Sequence, residues 1–398
     1  MRTTYLPFHL PSIGEDEISE VVDTLRSGWL TTGSKTSRFE EAFRRYTGAR
    51  HAVAVNSGTA ALHLALASIN LQPGDHVIVP TLTFAATAEV ACYFRAVPRL
   101  VDIDPRSCTL DVEAVERMLH QEPQAPFRAV IPVHYGGYPC DMDPLLAAAK
   151  SRGLLVIDDA AHALPAFYKG RQVGTIADIS AFSFYATKTI TTGEGGMITT
   201  ADEELAARMR IMSLHGITHD AWNRYGKGGN WYYEITCLGY KYNLTDIASS
   251  IGIRQLARSD EFHRRRKDIA RLYTEHFLNL PGIGLLPAIA ALHGPSPSPV
   301  EHAWHLYPVL VDPEVIRIDR ARFIEELRKR NIGASVHFIP LHYHPYYRDT
   351  FGYRQGDFPA AEAFYARCIS LPIYPAMTDN DVWDVIEAVT DIARTFKK

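Results

Sequence analysis

DISAFSF at 178–184 reads as one strand, and upstream of it, from residue 51 onward, short apolar runs rich in valine and isoleucine recur: AVAV at 52–55, HVIVP at 76–80, AVIPV at 129–133 and LLVID at 154–158. None has the polar alternation of a strand with one wet face. They predict strands buried on both faces of a largely parallel sheet, with helical segments between them. Upstream, Ile18, Val21, Val22 and Leu25 recur at helical spacing before Gly28, which predicts an amphipathic helix over 15–25. The segment IRIDRARFIEELRKRNIG predicts a helix over 316–333 that stops at Asn331 and Gly333, in a second, smaller domain. Pro295, Pro297 and Pro299 in ALHGPSPSPVEH cannot sit in a helix interior or a central strand and predict an exposed loop. The chain shows no repeat of solenoid period and no low-complexity tail.

A length of 398 residues with 46% hydrophobic content supports a large core in two domains, or one large domain with an appendage. The 41 basic and 45 acidic residues give a formal charge of −4 without any block of like charge, so nucleic acid and anionic membranes are not expected partners. Five scattered cysteines, Cys92, Cys108, Cys140, Cys237 and Cys368, show no CxxC spacing and fit a reducing compartment. The leading MRTTYLPFHLPS has no apolar signal core, and no later run reaches the length of a membrane helix. A soluble, cytoplasmic protein is the expectation.

Three segments carry candidate chemistry. AVAVNSGTAALHL at 52–64 reads as a strand, a turn through Ser57, Gly58 and Thr59, and a helix start whose free N–H groups suit a phosphate; an ordinary capped junction is the competing reading. LLVIDDAAH at 154–162 puts Asp158 and Asp159 at the end of a buried strand, where open α/β sheets bind ligands. Adjacent strand residues face opposite ways, so only one of the two can meet a given ligand, and either can instead cap the next helix. His162 there reads as a core histidine as readily as a catalytic one. In FSFYATKTITTGEGGM at 182–197, Lys188 lies within a 21-residue stretch, 180–200, whose sole other charge is Glu194. Such surroundings desolvate an amine and lower its pKa, as a nucleophilic lysine requires. His337, His342 and His344 lack a carboxylate or thiolate at ligand spacing, so lining a pocket or the core is preferred to a metal site.

The SGTA turn, the IDDAAH strand end and SFYATK followed by TTGEGG, in that order, resemble the DegT/StrS family of nucleotide-sugar aminotransferases. SGWLTTG at 27–33, PVHYGG at 132–137, GYKYNLTDI at 239–247, EHAWHLY at 301–307 and CISLPIYPAMT at 368–378 extend the resemblance over nearly the whole chain. GYKYNLTDI and EHAWHLY are most similar to the branch that makes UDP-4-amino-4-deoxy-arabinose. The resemblance implies the aspartate aminotransferase fold, type I among pyridoxal 5'-phosphate (PLP) enzymes. It has a large domain (1–258) with a mixed, mostly parallel seven-stranded sheet and a smaller C-terminal α/β domain (259–398). It also implies a homodimer with shared active sites.

On the same ground, Lys188 would carry PLP covalently and Asp159 would pair with the protonated ring nitrogen. Gly58, Thr59 and Ser183 would hold the phosphate, Phe84 would stack on the ring, and His162 would lie near its phenolic oxygen. Lys241 of the partner subunit would stand where many members use asparagine. Thr31, His337, His342 and the 215–238 loop would meet the substrates: an amino-acid donor, glutamate in most of the family, and a nucleotide-linked keto sugar, C4 being the favoured position. Relatives that act as sugar dehydratases carry histidine in place of the lysine, so Lys188 favours transamination. A non-catalytic nucleotide-sugar-binding regulator would not need the lysine, the aspartate and the phosphate turn together. A nicotinamide-dependent oxidoreductase would need a GxGxxG turn that the chain lacks.

Overall fold

The computed structural model describes residues 2–218, 232–294 and 298–398, so Pro295 and Pro297 of the proline-rich loop lie outside the described residues. The apolar runs form β1 (His51–Val55), β2 (His76–Pro80), β3 (Val97–Val101), β4 (Phe127–Val130) and β5 (Leu155–Asp159). A short hairpin, β6 (Phe167–Tyr168) and β7 (Arg171–Gln172), precedes β8 (Ile179–Ser183) and β9 (Gly196–Thr200). Seven of these make one sheet in the order β1-β9-β8-β5-β4-β2-β3. Pairing is parallel from β3 across to β8, while β9 runs antiparallel to both β8 and β1. This is the mixed, mostly parallel α/β sheet expected from the sequence.

Helices α1 (Glu15–Ser27), α2 (Ser34–Thr47), α3 (Gly58–Ser68), α4 (Ala85–Cys92), α5 (Val112–Gln121), α6 (Met142–Ser151), α7 (Glu203–Met212) and α8 (Asp246–Ala257) accompany this sheet. A helix apolar on every side must be covered on every side. Helix α3 is such a helix, with Ala60 through Ser68 all buried, and it packs on β8 and β9. Its first turn is thereby fixed against the end of β8.

After the long helix α9 (Ser259–Phe277) come β10 (Ile283–Gly284), α10 (Pro287–Ala291), β11 (Val300–Glu301), β12 (Tyr307–Val311), α11 (Arg320–Lys329), α12 (Pro345–Phe351), α13 (Pro359–Arg367), β13 (Cys368–Leu371) and α14 (Asp379–Thr395). Strands β10, β12 and β13 form a three-stranded antiparallel sheet. Helix α11 begins at Arg320, later than the spacing suggests. Asp319 caps it by accepting from the Arg322 N–H at 2.8 Å, while Ile316 is buried and bridges to Lys397 outside the helix.

Helix α1 exists as expected and ends at Gly28, whose φ of 74° suits glycine. Its orientation reverses the simple amphipathic reading. Glu17, Glu20 and Thr24 are buried, whereas Ile18 and Leu25 are 48% and 53% exposed. Glu20 receives Lys35 and Arg254, and Glu17 accepts from Gln255 at 2.8 Å, so ion pairs and hydrogen bonds dock the acidic side onto α2 and α8.

Candidate active site

The ends of β1, β5 and β8 and the first turn of α3 converge on a cavity of about 520 Å³. Ser57, extended at φ −166°, caps α3 by accepting from the Ala60 N–H at 3.0 Å. Gly58 and Thr59 follow at the cavity wall beside Ser183. A Cβ on Gly58 would come within 2.8 Å of the Ser183 Cβ, so glycine is what lets α3 and β8 meet this closely.

Asp158 and Asp159 do face opposite ways. Asp158 is buried against His134, whose Nε2 lies 3.1 Å from its carboxylate. Asp159 lines the cavity, accepting from the Thr87 hydroxyl at 2.7 Å and the Ala161 N–H at 3.1 Å. Burial pushes its carboxyl pKa up, and these donors together with the charge of Lys188 oppose the rise.

Lys188 sits on the loop between the antiparallel strands β8 and β9. Its neck is closed by Phe184 N–H to Gly195 O at 2.8 Å and Thr192 N–H to Phe184 O at 3.0 Å. Burial lowers the amine pKa to about 8, working against the nearby carboxylate of Asp159, which raises it. The desolvation expected from the charge-poor stretch is therefore present.

His162 lines the cavity, and burial keeps its pKa well below the ordinary value, so its ring is neutral. Its Nδ1 accepts from the Gly136 N–H at 3.3 Å, which places the ring proton on Nε2. Phe84, 62% exposed, stands at the same wall, as does His337, whose Nδ1 is 2.9 Å from the Ser370 hydroxyl.

Three anticipated residues are not brought to this cavity within the chain. Both ring nitrogens of His342 are engaged, with Thr81 at 2.8 Å and Glu362 at 3.0 Å, so it ties β2 to α13. Thr31 is exposed and gives its carbonyl to Asp246, and the amine of Lys241 bonds to Asn243. Of the 215–238 loop, residues 219–231 lie outside the described residues. Conversely, Phe8, His9, His305 and Phe338 line the cavity without having been singled out. His305 was visible inside EHAWHLY, where its tilted ring contact with His162, 4.3 Å between centroids, could not be read; His9 carries no sequence signal. A wider hollow of about 870 Å³ lies between the 104–116 segment and α10, and none of the candidate residues lines it.

A lysine poised to lose its proton, lining the same cavity as a buried carboxylate on this mixed sheet, defines the class: an enzyme that works with PLP. The chain belongs to the DegT/DnrJ/EryC1/StrS aminotransferase family, whose model matches residues 11–390. It is 49% identical over 394 residues to the spore coat polysaccharide biosynthesis protein SpsC of Bacillus subtilis, covering 99% of this chain and 98% of SpsC. It is 53% identical over 392 residues to the uncharacterized protein MJ1066 of Methanocaldococcus jannaschii, covering 98% of each. Among solved structures, the PMP form of Spr1654 from Streptococcus pneumoniae, described as a putative sugar aminotransferase, superposes with a TM-score of 0.88 at 35% identity over 98% of each chain. Helicobacter pylori PseC, an aminotransferase involved in the biosynthesis of pseudoaminic acid, gives 0.88 at 27% identity, covering 99% of this chain and 100% of PseC. The protein is thus a sugar aminotransferase with PLP as its cofactor. Among the described residues no helix is long and apolar enough to cross a membrane.

Proposed function

We propose that this enzyme moves an amino group from L-glutamate to the C4 keto group of a nucleotide-linked sugar, with Lys188 as the catalytic residue. The observation that carries the reading is that Lys188 and Asp159 line one cavity and shift each other's ionisation. Bound there, PLP supplies an aldehyde that takes the amino group and a ring that withdraws electrons from the reacting carbon.

The groups present suit it. Lys188 would hold the cofactor, and its amine, buried in the same cavity with a lowered pKa, would be the group that moves a proton during the transfer. Asp159 keeps the ring nitrogen protonated. The N–H groups of Gly58 and Thr59 and the hydroxyl of Ser183 hold the phosphate. Phe84 and His162, on the same cavity wall, would stand beside the ring, and His337 would meet the substrate. The rest of the wall supports a sugar acceptor: Phe8, Phe338 and Tyr185 give faces on which a pyranose can stack. The C4 position, and a substrate close to that of UDP-4-amino-4-deoxy-arabinose synthase, rest on the likeness of GYKYNLTDI and EHAWHLY.

Gly58→Ala should weaken PLP binding about tenfold, a cost of about 1.4 kcal/mol, because the new methyl pushes Ser183 away from the phosphate turn. Equilibrium titration of the stripped protein with PLP reads it, and unchanged affinity would move the phosphate elsewhere.

The working unit in this proposal is a homodimer. Ile18 and Leu25 of α1, with Ile13, Trp29 and Leu30 at its two ends, are large apolar side chains left exposed, which a second copy would cover. That copy would also bring Lys241 of the partner subunit to the phosphate and supply Thr31 to the substrate side. The double variant Ile18→Glu, Leu25→Glu should sediment as a monomer; a wild type that is itself monomeric would refute the assembly.

The whole reading is tested by the absorbance of the PLP-loaded protein. The visible cofactor band should fade with excess L-glutamate and return on adding a nucleotide-linked 4-keto sugar. No band after addition of PLP would overturn it.

A further inference from the structure

Lys188 lines a second, much smaller void of about 10 Å³, shared with His9, Arg266, Thr189, Thr191 and Gln255. That volume, bordered by polar groups, is about what one water molecule needs. Arg266, from α9, is 1% exposed and has no carboxylate partner among the described residues. Its Nη1 donates to the carbonyls of Trp304 at 3.2 Å and Ile373 at 2.6 Å, while its Nε and Nη2 meet no acceptor among the described residues. The Nε2 of His9 is likewise without a protein partner. Three buried polar atoms thus belong to two residues that border one void.

Their chemistry is complementary. The guanidinium only donates. Burial keeps the His9 ring neutral, so one of its nitrogens is an acceptor, and Nε2, which meets no hydrogen-bonding group among the described residues, is free to be that one. We propose that the void holds one water molecule that accepts from Arg266, donates to Nε2 of His9 and donates its second proton to the neutral amine of Lys188. His9 is then a positioning residue for the lysine, an inference that rests on Lys188 being the reactive amine.

Lys188 otherwise faces Asp159 from β5, His162 from the turn after it, His305, His337, and Glu194 from its own loop, all of which line the main cavity. Against that background, a water that donates to the amine favours its neutral form, so losing the arrangement raises the pH at which the lysine becomes reactive.

The test follows the rate at which the full chain, stripped of cofactor, reacts with PLP as pH is varied. In the wild type the rate should climb through pH of about 8 as Lys188 loses its proton. His9→Asn keeps a polar group near the Nδ1 position but deletes Nε2; its midpoint should rise by about one pH unit, a tenfold change in the equilibrium. His9→Gln restores a polar atom near Nε2 and should titrate with the wild type. An Asn variant that also titrates with the wild type overturns the proposal. A wild type that does not react with PLP counts instead against Lys188. If His9→Asn does not fold, a high-resolution crystal structure decides: one water within hydrogen-bond reach of both His9 Nε2 and Arg266 supports the proposal, and a dry void refutes it.

Discussion

Replacing Lys188 with alanine is expected to reduce amino transfer by on the order of 10⁴-fold or more while leaving the fold in place, because in the proposed reading one nitrogen both holds the cofactor and moves the proton. The fold survives because the contacts that shape the loop are made by other groups. Lys188 gives its backbone N–H to Tyr185 at 2.8 Å, and its amine has no hydrogen-bond or ion-pair partner among the described residues. Removing a desolvated amine leaves no carboxylate wholly stranded, since Asp159 keeps Thr87 and the Ala161 N–H. A single-turnover assay with L-glutamate, run beside a thermal melt, separates the two effects. A folded variant with normal turnover would end the assignment.

Asp159→Asn should cost about 10²-fold in transfer, the range that follows from losing a charge-assisted bond of roughly 1.5–3 kcal/mol to the ring nitrogen. The amide oxygen can still accept from Thr87, so the charge is lost together with the acceptor for the Ala161 N–H, and the side chain's size is kept. The same substitution should move the lysine the other way. The Asp159 charge raises the amine pKa, so without it Lys188 is neutral at lower pH, and the midpoint for reaction with PLP falls below the wild-type value. Slower transfer together with earlier cofactor uptake is a pairing that general destabilisation does not produce. A midpoint that rises would show that Asp159 acts on the lysine in some other way.

The parallel half of the large sheet was legible because strands covered on both faces leave unbroken Val and Ile runs, as in HVIVP, which is β2 residue for residue. Strand β9, GMITT, was not read: it begins on the last glycine of GEGG, and glycines next to a run suggest a loop, although all five of its residues are buried between β1 and β8. Helix α1 was legible as a helix but not in its facing, since spacing gives the apolar stripe without saying what covers it. Partners for Glu17 and Glu20 decide that facing, and they come from α2, the next helix, and from α8, far along the chain.

Within the site, Lys188 and Asp159 stood out because each breaks a local rule: a charge in a charge-poor stretch and a carboxylate ending a buried strand. His9 and His305 break none. They reach the cavity only through tertiary packing, from segments nearly three hundred residues apart.

The closed neck of the lysine loop bears on when order is imposed. Besides its two backbone bonds, the loop is tied by Thr191, whose hydroxyl donates to Phe184 O at 3.0 Å and accepts from Gly193 N–H at 2.9 Å, and by Thr192, which donates to Glu194 O at 2.7 Å. Fixing a residue's backbone costs about 1–2 kcal/mol in conformational entropy. Here that loss falls on folding, once, so each turnover starts with the amine's anchor already immobile and only side-chain torsions left to settle.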